Sequence, residues 1–298
     1  MKIAFIGCVH SSFHSLQKLL KMKSLGIEVV GVVTKAKSKL NADFKDLSPL
    51  CAEYHIPVHF EDNKDKAESI RFLKECTPDV LYCFGWSYLL STDMINVAPL
   101  GAIGFHPAPL PKARGRHPII WALALGLDKT ASTFFKMDEG LDSGPILSQV
   151  NVAITAQDNA LSLYQKILDV SEKQIFEFTL QLAKGNFALK EQDISEVTYW
   201  RKRSQLDGVI DWRMRAGDIH NLVRALAPPY LGAEFVYKDE CIIVNRTRVP
   251  TVAYSLLDEP GKVLNVEKDR VLVKCGHKSA IWIYEIPIIS CLKKGDYL

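Results

Sequence analysis

No two cysteines are paired by spacing in this chain. The seven (Cys8, Cys51, Cys76, Cys83, Cys241, Cys275 and Cys291) are scattered over 298 residues without a C-x-x-C pair. An odd, widely spaced set suggests neither a disulfide framework nor a zinc site. Most of them read as small core hydrophobes, and no metal is expected. No apolar run is long enough to span a bilayer, and Met1-Lys2-Ile3-Ala4-Phe5 leads straight into a strand pattern. A cytoplasmic protein with no signal peptide and no membrane partner is therefore expected. Excess charge is also scarce: a formal net charge of +3 is too small to imply nucleic acid by itself. The turn Gly7-Cys8-Val9-His10-Ser11-Ser12 is not a G-x-G-x-x-G loop, which argues against an ordinary dinucleotide site. Internal repeats and low-complexity segments are absent.

What is present is a soluble globular composition, 48% hydrophobic and 24% charged, in a chain long enough for one large or two ordinary domains. The first half alternates short apolar runs with helical patterns. Strands are predicted at Lys2 to Gly7, Glu28 to Thr34, Ile56 to His59 and Asp79 to Phe84, and helices over Phe13 to Lys23, Leu47 to Tyr54 and Ala67 to Glu75. That alternation implies a parallel sheet with crossover helices, and near-continuous apolar strands agree with a sheet covered on both faces. Leu161, Tyr164, Leu168, Ile175, Phe178 and Leu182 trace the stripe of a long helix ending at Lys184-Gly185. Beyond a polar, basic stretch from Thr198 to Leu206, Ile210-Asp211-Trp212 begins a new unit with a short helix, Asp218 to Leu226. Short strands then follow at 235–237, 241–244, 262–266, 270–275 and 281–286. The expected architecture is an α/β domain with a Rossmann-like parallel sheet over residues 1–200, then a small β-rich, barrel-like domain over 201–298.

Most of the chemistry lies between Gly101 and Gln149. His106 sits among Pro107, Pro109 and Pro111, which restrict the backbone. It ends a predicted strand, where open α/β sheets bind ligands. Imidazole titrates near neutrality, so proton transfer and a structural loop histidine are both open readings. Asp142 lies in Asp138-Glu139-Gly140-Leu141-Asp142-Ser143-Gly144, a tight turn in which it could hold an imidazolium or simply stabilise the turn. Asp138 and Glu139 are competing carboxylates. Arg114-Gly115-Arg116-His117-Pro118 is a basic turn able to bind carboxylate or phosphate, or to stand solvated before a helix containing Trp121.

This stretch resembles the formyltransferase superfamily, which uses 10-formyltetrahydrofolate and includes methionyl-tRNA, glycinamide ribonucleotide and sugar-nucleotide amine formyltransferases. The family pattern is Asn-x-His, a Ser-Leu-Leu-Pro-like segment, Arg-Gly and Asp-x-Gly-x-Asp-x-Gly. Its counterparts here are Gly104-Phe105-His106, Ala108-Pro109-Leu110-Pro111, Arg114-Gly115 and Asp138 to Gly144. More loosely, the likeness covers the whole chain, with Ile210-Asp211-Trp212 and the tail resembling the small C-terminal domain of several members. The resemblance implies that His106 takes part in proton transfer as an amine attacks the formyl carbon, with Asp142 holding it. It also implies folate contacts from Phe84, Gly85, Trp86, Tyr88, Leu89 and Leu90, and from Met137, Asp138, Glu139, Gly140 and Asp142, largely through backbone atoms. Gly104 departs from the pattern, because relatives usually carry an asparagine there that donates to the developing oxyanion. One such donor is worth roughly 3 kcal/mol. Formyltetrahydrofolate hydrolases also lack it, so a hydrolase is a rival reading, as is a non-catalytic binding module.

For the acceptor, methionyl-tRNA enzymes carry a basic, glycine-rich loop after the second strand. Thr34 to Phe44 here is shorter and only modestly basic. The wording Gly-Phe-His-Pro and Arg-Gly-Arg-x-Pro is closer to sugar N-formyltransferases. A nucleotide-linked amino deoxysugar is the expected acceptor and methionyl-tRNA the alternative. His10, Lys35, Lys39 and Arg116 are expected at its diphosphate or sugar, with Pro107, Arg114 and Gly115 on the same side. Nucleic acid enters only with the tRNA alternative, and a homodimer is an open arrangement.

Overall fold

The computed structural model describes residues 1–38, 42–62 and 66–298. These divide into two compact units. The first is Met1–Gly115, Thr130–Val152 and Gln165–Trp200, and the second is Arg116–Lys129, Ala153–Tyr164 and Arg201–Leu298. Among the described residues no helix is long and apolar enough to cross a membrane.

The first unit is built on β1 (Lys2–Ile6), β2 (Glu28–Thr34), β3 (Val58–Phe60), β4 (Val80–Cys83), β5 (Ala102–His106), β7 (Lys129–Lys136) and β8 (Ile146–Ala153). They form one seven-stranded sheet in the order β3-β2-β1-β4-β5-β7-β8. From β3 to β5 all neighbours are parallel, while β7 joins β5 antiparallel, with His106 opposite Thr133 and Gly104 opposite Phe135. Between them fall β6 (Arg114–Gly115) and α5 (Pro118–Ala124). The parallel expectation therefore holds for β1 to β5 and ends where the site begins.

Alternate strand residues serve opposite faces. Ile3, Phe5, Tyr82, Phe84, Ile103 and Phe134 pack with α1 (His10–Leu20), α2 (Ser48–Glu53) and the later part of α6 (Ala160–Ala183) through Leu16, Leu19, Leu50, Ile175 and Phe178. Ala4, Ile6, Leu81, Cys83 and Ala102 pack with α3 (Lys66–Glu75) and α4 (Thr92–Ile95) through Leu73, Met94 and Ile95. Each fully buried large side chain contributes roughly 1.5–3 kcal/mol. Because both faces are covered, the strands have no polar side to show, which is why they read as continuous apolar runs.

In the second unit, α7 (Ala216–Leu226) packs on α5. Its strands are β10 (Ala233–Tyr237), β11 (Glu240–Val244), β12 (Thr247–Arg248), β13 (Val263–Val266), β14 (Arg270–Lys274) and β15 (Ala280–Tyr284). They form a two-stranded sheet β10-β11 and a four-stranded sheet β12-β15-β14-β13. β12, only two residues long, has no sequence signature. A further pair, β6 with β9 (Tyr199–Trp200), belongs to the first unit and runs parallel.

Candidate active site

His106 is the last residue of β5 and is buried. The chain after it is tied back to the sheet: Thr133 Oγ1 donates to Ala108 O at 2.7 Å, and Thr130 Oγ1 donates to Pro107 O at 3.2 Å. The turn then brings Ala113, in the left-handed region at φ 61°, under the imidazole. His106 Nε2 lies 2.8 Å from Ala113 O. A carbonyl oxygen only accepts, so Nε2 carries the proton. Nδ1 faces Asp142 Oδ2 at 3.6 Å.

Asp142 sits at φ 52°, a left-handed position that aspartate tolerates better than most residues. Its Oδ2 also accepts from the Gly115 N–H at 2.9 Å. The competing carboxylates are engaged elsewhere. Asp138 Oδ1 accepts from Gly140 N at 3.0 Å and Ser143 Oγ at 2.6 Å, an Asx-type turn, and Glu139 accepts from Thr92 Oγ1 at 3.1 Å. Only Asp142 meets the histidine. Gln192 holds this loop from behind: its Nε2 donates to Asp142 O at 2.9 Å and to Gly144 O at 2.7 Å. Its Oε1 accepts from Arg114 Nε at 3.2 Å and Nη2 at 2.7 Å, and Arg114 Nη1 reaches Tyr199 OH at 3.5 Å. Gln192 stands in a polar loop with no pattern that could have revealed it.

The other residues expected at the acceptor take different positions in the structure. Arg114, expected at the acceptor, is buried and turned to Gln192 and Tyr199, so it braces the Asp142 loop. Lys35, expected at the diphosphate or sugar, is buried as well. It stands 3.7 Å from Glu61, whose Oε2 accepts from Ser69 Oγ at 3.1 Å. Its ammonium lies 5.0 Å from the Trp86 ring and 4.6 Å from Tyr88. Lys39 lies outside the described residues. His10 is exposed at the start of α1, its N–H donating to Asp43 O at 3.0 Å. Its imidazole is held below its ordinary pKa by burial, with His14 adding to the shift. Pro107 is half-buried beside His106, and Gly115 contributes its N–H to Asp142. Arg116 opens the second unit.

The segment expected to line the folate runs from the end of β4. Phe84 is core, its ring 5.0 Å from those of Tyr82 and Phe134, so only its backbone faces outward chemistry; its carbonyl accepts from Ser12 Oγ at 2.6 Å. Gly85 has φ 71°, and a Cβ there would strike Val9 and Ser12. Trp86 and Tyr88 form a ring pair with centroids 5.3 Å apart, Leu89 is 70% exposed and Leu90 is half-buried. Met137 anchors the second segment by donating its N–H to Ala102 O at 2.7 Å. Gly104 is enclosed: a Cβ would lie 2.9 Å from both Met137 Cγ and Phe135 Cζ. The place of the family's asparagine is filled by these two side chains.

A histidine–carboxylate pair 3.6 Å apart thus stands at the carboxyl end of a strand in an open α/β sheet, an arrangement whose chemistry suits proton transfer. The family is given by the comparisons. Residues 1–179 match the formyl transferase model and residues 202–291 the formyl transferase C-terminal domain model, so the chain belongs to the formyl transferase family. Among solved structures it is similar to an N-formyltransferase from Helicobacter canadensis in complex with folinic acid and dTDP-3-aminofucose. That match has a TM-score of 0.73 at 16% identity and covers 96% of this chain and 99% of that one. It is similar also to WlaRD, a sugar 3N-formyl transferase, with a TM-score of 0.72 at 15% identity over 96% and 97% of the two chains. Methionyl-tRNA formyltransferase from Clostridium thermocellum matches with a TM-score of 0.60 at 15% identity over 96% and 99%. At such identities the likeness is one of fold.

Proposed function

We propose that this protein transfers a formyl group from 10-formyltetrahydrofolate to the amine of a nucleotide-linked amino deoxysugar. The observation that carries the reading is the His106–Asp142 pair at the end of β5, in a chain of the formyl transferase family. Two similar structures hold a folate derivative together with dTDP or a dTDP-amino sugar, which supports the choice of both substrates.

The residues fit a folate. A flat pterin suits an aromatic wall such as Trp86 and Tyr88 beside backbone exposed by a left-handed glycine at 85, with Met137 to Gly140 as the second segment. The co-substrate supplies the formyl carbon; the chain supplies proton handling. Asp142, oriented by Gly115 N–H and braced by Gln192, accepts a proton from the attacking amine, and as the bond from the formyl carbon to the folate nitrogen breaks that proton passes to the departing nitrogen, releasing tetrahydrofolate. His106, with Nε2 pinned to Ala113 O, exchanges its Nδ1 proton with Asp142. With no side chain at Gly104, the protonated imidazole supplies the positive charge that balances the developing oxyanion.

The test is incubation with 10-formyltetrahydrofolate and a panel of nucleotide-linked amino sugars, charged initiator tRNA or no acceptor, with products read by mass. A gain of one formyl group on an amino sugar is expected. Formylation of tRNA alone, or release of tetrahydrofolate at the same rate without any amine, would sink the reading in favour of a tRNA enzyme or a hydrolase.

A further inference from the structure

Thr198 stands outside the proton-transfer pair, yet it holds the segment that touches both members. That segment is Ala113-Arg114-Gly115, the two residues of β6 and the one before them. Ala113 O lies 2.8 Å from His106 Nε2, and the Gly115 N–H donates to Asp142 Oδ2 at 2.9 Å. One short stretch of backbone therefore sets where the imidazole and the carboxylate stand, 3.6 Å apart. All of these residues, Thr198 included, belong to the first unit.

Ala113 is in the left-handed region at φ 61°, a conformation that is strained for alanine and persists where the surroundings hold it. Two bonds to Thr198 do so. The Ala113 N–H donates to Thr198 Oγ1 at 2.8 Å, and the Arg114 N–H donates to Thr198 O at 3.0 Å. β6 then runs along β9, with Arg114 opposite Tyr199 and Gly115 opposite Trp200. With both N–H groups turned to Thr198, the Ala113 carbonyl points at the imidazole. Its direction decides where the ring proton sits. The Asp142 carboxylate alone would draw that proton to Nδ1, the nitrogen facing it. The Ala113 carbonyl draws it to Nε2, so a neutral His106 keeps Nδ1 as an open acceptor toward Asp142. Passing a proton from Asp142 to His106 requires that open nitrogen, and a proton already on Nδ1 blocks the step.

We propose that Thr198 is a positioning residue for proton transfer, its hydroxyl keeping His106 in the tautomer whose Nδ1 is open to Asp142. The step it serves rests on the function proposed above; the tautomer does not. Thr198 is exposed, so its hydroxyl can be removed without opening the core. The N–H of the buried Ala113 would then lack its partner, and the left-handed turn would lose the bond that favours it.

Heteronuclear NMR of the His106 ring nitrogens in the full chain, under alkaline conditions where imidazoles are neutral, tests this. In the wild type Nε2 should carry the proton. In Thr198→Val a large share should move to Nδ1, and Thr198→Ser, which keeps the hydroxyl, should restore the wild-type pattern. Thr198→Ala removes the same group with less bulk and carries the same expectation if the valine variant does not fold. In turnover, Thr198→Val should lower kcat about ten-fold with KM for both substrates unchanged, and Thr198→Ser should recover most of the loss. An unchanged tautomer in the hydroxyl-free variants overturns the proposal. So does an equal loss of kcat in Thr198→Ser and Thr198→Val, or a raised KM with kcat intact. A tautomer shift in a protein that transfers no formyl group would overturn the reaction and keep the hold on His106. Formyl transfer by a Thr198→Val protein with wild-type kcat and tautomer would do the reverse.

Discussion

Two pairs of ionisable side chains stand at carboxyl ends of strands in the same sheet, at nearly the same separation, and differ in what surrounds them. Lys35 and Glu61, 3.7 Å apart after β2 and β3, have side chains 4% and 2% exposed, closed over by Trp86, Tyr88 and Ser69. His106 and Asp142, 3.6 Å apart, are 6% and 17% exposed. There the protein occupies Nε2 and Oδ2, while Asp142 Oδ1 has no protein donor among the described residues. The first pair is enclosed by protein, with Glu61 also accepting from Ser69 and Lys35 standing over the Trp86 and Tyr88 rings. The second keeps an acceptor open on a carboxylate whose orientation is fixed by its neighbours, which a proton-transfer site requires. Burial alone does not separate the two pairs; the open lone pair on Asp142 does.

The largest effect should come from the open pair. His106→Ala or Asp142→Ala should lower the formyl-transfer rate roughly a hundred- to ten-thousand-fold while the thermal melt stays close to wild type. Near-normal turnover in either would remove the pair from the chemistry. At the closed pair the balance should invert. Glu61→Gln or Lys35→Met should cost about 3–5 kcal/mol in urea unfolding, because each strands a buried charge, and replacing both with apolar residues should be much milder. If the double replacement costs as much as the singles summed, the pair is not coupled. The smallest change is expected at Gly104. Gly104→Asn must displace Met137 and Phe135, costing about 1–3 kcal/mol of stability by overpacking, and Phe135→Leu in the same chain should relieve it. A Gly104→Asn protein as stable as wild type would show that the enclosure is soft.

Much of this was legible from residue order. β2 was read to its ends, Glu28 to Thr34, because burial on both faces leaves an unbroken apolar run. The stripe of α6 and its stop at Gly185 were equally plain. The start of α1 was not: it begins at His10 rather than Phe13, because Ser11, Ser12 and Ser15 are buried polar residues that hide the apolar period. Ser12 is inside because its hydroxyl donates to Phe84 O, a contact across 72 positions. The burial of Lys35 and Arg114 was hidden for the same reason. A cation reads as surface until a distant partner is known, here Glu61 for one and Gln192 for the other.

By itself the sequence determined the long apolar elements, the family pattern and the candidacy of His106 and Asp142, all of which depend on periodicity and short-range spacing. Only the tertiary structure decided which of three neighbouring carboxylates meets the imidazole, which cations are buried, and that Phe135 and Met137 fill the space beside Gly104. Those outcomes depend on distances between residues on different strands and loops. Such distances are set by how the sheet packs and how buried polar groups find partners, not by spacing along the chain.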